Sequence, residues 1–298
     1  MLGVLLPSFE GDAVAPQAAA ALREELGKLG WSEGPLFQID FRTGFDPERL
    51  QADAADLVRL NPDVILASST QTLSALLREK PTGPIVFLNV GNPIERGFIR
   101  SLARPGGNIT GFANADEAFT AKRLELLKQI APNLSRVLVV GSRSNPSWVE
   151  QLSKHNELAA SFQLQFTAID TENNQDLERV AGAFARDTDG GIDVPPSIYA
   201  WVNRETIIAL AARFRLPAVY PYRVFAMSGG LMAYNFDGLE QWRRVAFYID
   251  RVLRGEMPGD LPVQLPSQFQ FVVNLKTAKE LGLMPPPTLL ARADEVIE

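Results

Sequence analysis

Short continuous apolar runs alternate along the chain with longer stretches in which apolar residues recur every three to four positions. The runs at 2–6, 64–67, 85–88 and 109–112 are short and rich in Val, Ile and Leu, as expected of strands buried on both faces of a parallel sheet. Residues 37–41 predict a further strand. Between these, residues 16–29, 46–60 and 71–80 have helical periodicity. Asp46 stands as a cap before Pro47, and Gly30 falls where a helix ends. Strands alternating with helices of this length imply right-handed βαβ units.

The pattern then restarts. Helices are predicted at 119–130, 146–161, 174–186 and 201–214, and strands at 136–140, 164–169, 191–194 and 218–220. A strand at 231–234, a helix at 239–253, an extended connector at 258–262, a strand at 269–273 and a helix at 275–281 follow, and Pro285-Pro286-Pro287 stiffens the tail. The second series is as long as the first. The fold class is therefore α/β, with two Rossmann-like lobes built on parallel sheets. Elements left over after two complete lobes imply that the chain crosses between them several times, making a hinge rather than a linker. Residues 1–114 with 235–260 are expected in lobe I, and 115–234 with 261–298 in lobe II.

Two lobes fit the length of 298 residues. The net charge of −6, with no basic cluster, argues against nucleic acid as a partner. No apolar run approaches the roughly 20 residues that span a bilayer. Cysteine is absent, which removes disulfides, thiolate chemistry and Cys-based zinc sites. The first apolar run begins at Leu2, so a chain whose leader has been removed, with Met1 as an added start, is expected.

Catalytic machinery is not visible. The one histidine, His155, lies beside Lys154 in a polar helix and reads as a solvated surface residue. There is no histidine cluster for a metal, and no HExxH or GxSxG pattern. Gly106-Gly107 is a turn rather than a phosphate loop. Glu24-Glu25 and the Asp53/Asp56 pair read as solvated charges on polar helix faces. No cofactor is expected. What remains is a set of strand-end loops carrying hydroxyl, amide and aromatic groups. The centre of the set is Ser68-Ser69-Thr70, placed where the helix after the third strand needs its cap and where α/β sheets bind ligands. The free N–H groups and dipole of that helix end favour an anion such as a carboxylate. Ser8, Phe9, Asn89, Val90 and Asn114 join it in the first lobe. The second lobe offers Ser142, Thr171, Ser197, Tyr199 and Tyr222, and the returning strand ends in Asn235 and Asp237. Such a set suits a small-molecule site; each loop taken singly also reads as ordinary turn chemistry.

The chain resembles the ABC-transporter substrate-binding proteins whose members include tryptophan-binding proteins. The run Ser101-Leu102-Ala103-Arg104-Pro105-Gly106-Gly107-Asn108-Ile109-Thr110-Gly111 carries the resemblance most specifically. Pro62-Asp63-Val64-Ile65-Leu66-Ala67-Ser68, Leu216-Pro217-Ala218-Val219-Tyr220-Pro221 and Gly229-Gly230-Leu231-Met232-Ala233-Tyr234 extend it. The resemblance implies a type I periplasmic-binding clamshell that closes on its ligand by hinge bending. It implies a carboxylate held at Ser68-Ser69-Thr70 and Asn89-Val90, an ammonium and side chain facing the other lobe and 235–237, and an aromatic ligand against Phe9, Tyr199 or Tyr222. It also implies an ABC permease as partner, a membrane approached only through that permease or a lost anchor, an extracytoplasmic (periplasmic) setting and a monomer. Two positions depart from the family pattern. A Leu-Pro-Asp type turn reads Val194-Pro195-Pro196 here, and a Tyr-Gly-Pro-Asp type turn reads Tyr234-Asn235-Phe236-Asp237. Losing the first aspartate removes a partner for a ligand ammonium, so an amine-free aromatic or aliphatic acid stands beside an amino acid.

The leading expectation is a solute-binding protein of an ABC importer. A ligand-sensing regulatory domain on the same fold is the alternative, disfavoured by the expectation that no helix-turn-helix or basic reading segment precedes Leu2. An enzyme on this scaffold is disfavoured by the lone histidine and the missing nucleophile motifs.

Overall fold

The computed structural model describes residues 1–7, 14–44, 46–114, 116–142, 148–170, 173–187, 189–236 and 238–298. The chain divides into two compact units, one of Met1–Ala115 and Asp237–Ser267, the other of Asp116–Phe236 and Gln268–Glu298. In chain order the first unit holds β1 (Leu2–Leu6), α1 (Val14–Lys28), β2 (Ile39–Thr43), α2 (Pro47–Leu60), β3 (Val64–Ala67), α3 (Thr70–Arg78), β4 (Ile85–Gly91) and β5 (Ile109–Asn114). The second begins with α4 (Asp116–Ile130), β6 (Arg136–Gly141), α5 (Trp148–Phe162), β7 (Gln165–Asp170), α6 (Asn174–Phe184) and β8 (Gly190–Asp193). It continues through α7 (Ile198–Val202), α8 (Arg204–Arg213), β9 (Ala218–Tyr220), α9 (Arg223–Met227) and β10 (Met232–Phe236). Helix α10 (Gly238–Leu253) returns to the first unit, and β11 (Phe269–Asn274), α11 (Leu275–Glu280), α12 (Pro287–Leu290) and β12 (Glu295–Ile297) complete the second.

The first unit is a parallel sheet in the order β2-β1-β3-β4-β5. Side chains alternate across a strand, so each strand feeds two cores. Val4, Leu66, Val86 and Leu88 pack against α1 and α10, whose Leu22, Leu26, Val245 and Ile249 are fully buried. Leu5, Ile65, Ala67 and Phe87 face the other way, onto Leu50, Leu57, Leu73 and Leu76 of α2 and α3. Asp46 caps α2 through the Arg49 N–H at 2.8 Å, with Pro47 at the first helical position. The central run β3 is buried at every position.

The second unit has the order β12-β11-β10-β9-β8-β6-β7, parallel except for the β10–β11 pair. Leu138 and Val140 face a core with Leu177, Ala181, Ile207 and Ala211. Val137 and Val139 face another, with Leu124, Leu127 and Ile130 of α4.

Several expected elements differ. The predicted helix 201–214 is two helices, α7 and α8, meeting at Asn203, whose backbone leaves the helical region. Residues 258–260 form a 3-10 turn rather than an extended connector. The tail is not only a stiff proline run, since it forms α12 and adds β12 beside β11. Helix α9 is five residues long, too short to show a period. Residues 261–267 belong with the first unit, not the second as expected. The Thr110 hydroxyl donates to Leu261 O at 2.7 Å, Val263 N donates to Leu102 O at 2.7 Å, and Gln264 N donates to Gly111 O at 3.0 Å. These bonds lay the segment along the β5 edge.

Candidate functional site

In the first unit the turns after β3, β4 and β5 lie side by side because the strands are parallel neighbours. Ser69 is the cap of α3. Its side-chain oxygen accepts the Thr72 N–H at 3.2 Å, and Thr72 Oγ1 accepts the Ser69 N–H at 2.9 Å. This reciprocal box fixes the chain's exit angle from the sheet. Thr70 Oγ1 accepts the Gly91 N–H at 3.1 Å, tying the turn to the end of β4. Among the described residues its hydroxyl proton has no acceptor. An anion here would meet that proton, the N–H groups of the first helical turn and the positive end of the helix dipole.

Asn89 adopts the left-handed conformation, φ 57°, at the irregularity where the β4–β5 register shifts between Leu88 and Val90. Its carbonyl accepts Asn114 Nδ2 at 3.3 Å. Asn114 Oδ1 is sealed from solvent and has no hydrogen-bond partner among the described residues. Buried acceptors are rarely left so. Ser68 is buried at the head of the turn. The Val90 side chain is fully buried in the core below, so Val90 offers only its backbone.

The strand ends of the second unit are arranged differently. Ser197 caps α7, its oxygen accepting the Ala200 N–H at 3.1 Å. The Tyr199 hydroxyl lies 3.5 Å from Asn174 Oδ1, and burial raises its pKa, keeping it a donor. Tyr222 meets Trp201 edge-on at 5.5 Å between ring centroids. Ser142 is fully buried. Asn235 is buried as well, and its Oδ1 accepts the Phe236 N–H at 2.9 Å. Of the candidates, Ser8, Phe9, Thr171 and Asp237 lie outside the described residues. Two hydrogen bonds thus link neighbouring strand ends, Gly91 N–H to Thr70 Oγ1 and Asn114 Nδ2 to Asn89 O, while Ser69 is bonded within its own capping box. Ser197, Tyr199 and Tyr222 form a second, more aromatic group.

The family model described as ABC transporter substrate binding protein matches residues 7–297. The chain belongs to this family. It is a family of binders, not catalysts. A tyrosine-binding protein from Clostridioides difficile (strain R20291) is 24% identical to this substrate-binding protein over 258 residues, 85% of this chain and 73% of the relative. A conserved domain protein from Vibrio cholerae O1 biovar El Tor str. N16961 superposes with a TM-score of 0.86 at 25% identity, covering 99% of this chain and 98% of that one. An ABC domain from Streptococcus pneumonia in complex with L-Trp superposes with a TM-score of 0.84 at 22% identity, covering 99% of each chain.

One buried cluster of this substrate-binding protein runs against expectation. His155, read from the sequence as solvated, is fully buried. Its Nε2 lies 2.7 Å from Asp193 Oδ2 and its Nδ1 lies 2.6 Å from Gln151 O. Arg123, also buried, forks onto the same carboxylate, with Nε 2.7 Å from Oδ1 and Nη2 3.1 Å from Oδ2. Burial pushes the Asp193 carboxyl up, and the Arg123 guanidinium with the His155 ring more than offsets this, holding it at about 2. Position 155 continues the stripe of Trp148, Leu152 and Leu158 that packs inward, although the charged Lys154 stands beside it. Asp193 inside an apolar strand was the second signal, since a buried carboxylate needs a partner. Asp53 is likewise buried rather than solvated, and accepts from Arg49 Nε at 3.2 Å.

Proposed function

We propose that this chain is the extracytoplasmic solute-binding component of an ABC importer, and that it captures a small carboxylate, an aromatic or apolar amino acid, by closure of its two units. The observation that supports this reading is the pair of bonds that tie adjacent strand ends, Gly91 N–H to Thr70 Oγ1 and Asn114 Nδ2 to Asn89 O, beside the Ser69-capped start of α3. The ligand carboxylate takes the Thr70 hydroxyl and the first N–H groups of α3. The unpartnered Asn114 Oδ1 suits an N–H donor, as an α-ammonium would supply. Phe9, Tyr199 and Tyr222 supply apolar surface, and Asp237 a second partner for the ammonium. The similarity to a tyrosine-binding protein and to a domain solved with L-Trp supports an aromatic side chain. A permease is the partner to which the ligand is delivered, and the chain acts as a monomer.

An amine-free aromatic or aliphatic acid is the second reading. The turn after β8 carries Pro195-Pro196 in place of an acidic residue, and Asp193 below it is fully buried and held by Arg123 and His155. That carboxylate is therefore not offered to a ligand amine.

Closure is tested by small-angle X-ray scattering with and without saturating L-tyrosine. The radius of gyration falls on ligand addition if closure captures the ligand. An unchanged value in protein with bound ligand removes the closure step.

A further inference from the structure

The turn that follows β4 brings a cation to the strand ends of the first unit. The Gly91 N–H donates to Thr70 Oγ1 at 3.1 Å, and the Gly91 carbonyl accepts from Arg96 Nε at 3.2 Å. In extended backbone the N–H and C=O of one residue leave the same edge of the strand. Gly91 still belongs to β4, so the Thr70 hydroxyl and the Arg96 side chain meet it on one edge, the edge that faces β3 and the start of α3. The turn that carries Arg96 is firmly placed. The Arg96 N–H donates to Asn92 O at 3.1 Å, and the N–H groups of Phe98 and Ile99 both donate to Pro93 O, at 2.9 and 3.2 Å. Ile99 is buried in the core with Phe87 and Val90.

We propose that Arg96 is the cation of the first unit's carboxylate site, and that it sets a preference for acids over their neutral amides. Among the described residues, the bonds of Thr70, Asn89, Gly91 and Asn114 reach one charged side chain, that of Arg96. A hydroxyl and the N–H groups of a helix end hold an anion by dipoles alone. A guanidinium adds a full charge and donors in a planar fork that matches a carboxylate. The chain as a whole carries −6, so an approaching acid meets a net repulsion that a local cation offsets. The Nε bond to Gly91 O orients the guanidinium and leaves its charge in place. Arg96 is exposed, so an acid reaches it without any rearrangement of the core.

This inference rests on the carboxylate reading under the proposed function, and its test separates the two. Titration calorimetry at low ionic strength compares L-tyrosine with L-tyrosinamide, which lacks the carboxylate, in the wild type, Arg96→Gln and Arg96→Lys. Arg96→Gln raises the Kd for L-tyrosine by about tenfold, the scale of one hydrogen bond to a charged group, and leaves the Kd for L-tyrosinamide unchanged. Arg96→Lys keeps the charge without the fork and falls between. Added salt weakens L-tyrosine binding more in the wild type than in Arg96→Gln. A folded Arg96→Gln that binds L-tyrosine as the wild type does, or that loses both ligands equally, overturns the inference and leaves the carboxylate reading standing. Where L-tyrosinamide binds too weakly to measure, the salt dependence decides, and equal slopes in wild type and Arg96→Gln overturn the inference. Wild-type protein that binds no acid at all contradicts the carboxylate reading, and the inference falls with it.

Discussion

Thr70 Oγ1 accepts the backbone N–H of Gly91 at 3.1 Å, so the first residue of α3 is tied to the last residue of β4. The neighbouring Ser69 is committed to capping instead. Two adjacent hydroxyls therefore have separable roles. Ser69→Ala lowers unfolding free energy by about 1 kcal/mol, the usual value of a lost cap, and changes ligand affinity less. Thr70→Ala weakens a carboxylate ligand by about 1–3 kcal/mol with a smaller effect on stability. Chemical denaturation and titration calorimetry on both variants check this; the reverse pattern would make Ser69 the ligand donor.

Gly111 in β5 has φ 154°, and a Cβ there would lie 2.0 Å from Phe87 O within the sheet. No side-chain rotation relieves a clash with backbone. Gly111→Ala costs at least about 3 kcal/mol, read as a lowered denaturation midpoint. A midpoint near wild type would show that the β4–β5 pairing is looser than the register indicates.

The Asp193 carboxyl is held at about 2, below its ordinary 3.8. A depressed carboxyl contributes stability above its unfolded value and loses it as pH falls through the folded one. About 2 kcal/mol is therefore lost between roughly pH 4 and pH 2. Asp193→Asn leaves Arg123 buried without its counter-charge and costs about 3–5 kcal/mol. Denaturation at a series of pH values tests both. An Asp193→Asn variant as stable as wild type would show the cluster to be solvated.

Strand and helix order were legible because buried parallel strands such as 64–67 and stripes such as that of α10 announce themselves by period. Short elements were not: α9 and β12 contain too few residues for a period to form. The family was readable from the run ending at Gly111, a position where packing against Phe87 leaves no room for a side chain. Thr70 and Asn114 were legible as strand-end polar residues, but their bonds to Gly91 and Asn89 depend on which strands are neighbours. His155 was misplaced because charged Lys154 outweighed its position on the apolar stripe. Val90 looked like a loop residue, yet the left-handed Asn89 turns its side chain into the core.

Titration calorimetry with L-tyrosine, L-tryptophan, 3-phenylpropionate and an aliphatic acid tests the central claim most directly. Saturable one-site binding of an aromatic amino acid is predicted, tighter than that of 3-phenylpropionate if Asn114 and Asp237 receive the ammonium. Tighter binding of the amine-free acid would establish the second reading. No heat with any of the four, in folded protein, would contradict capture of a small carboxylate.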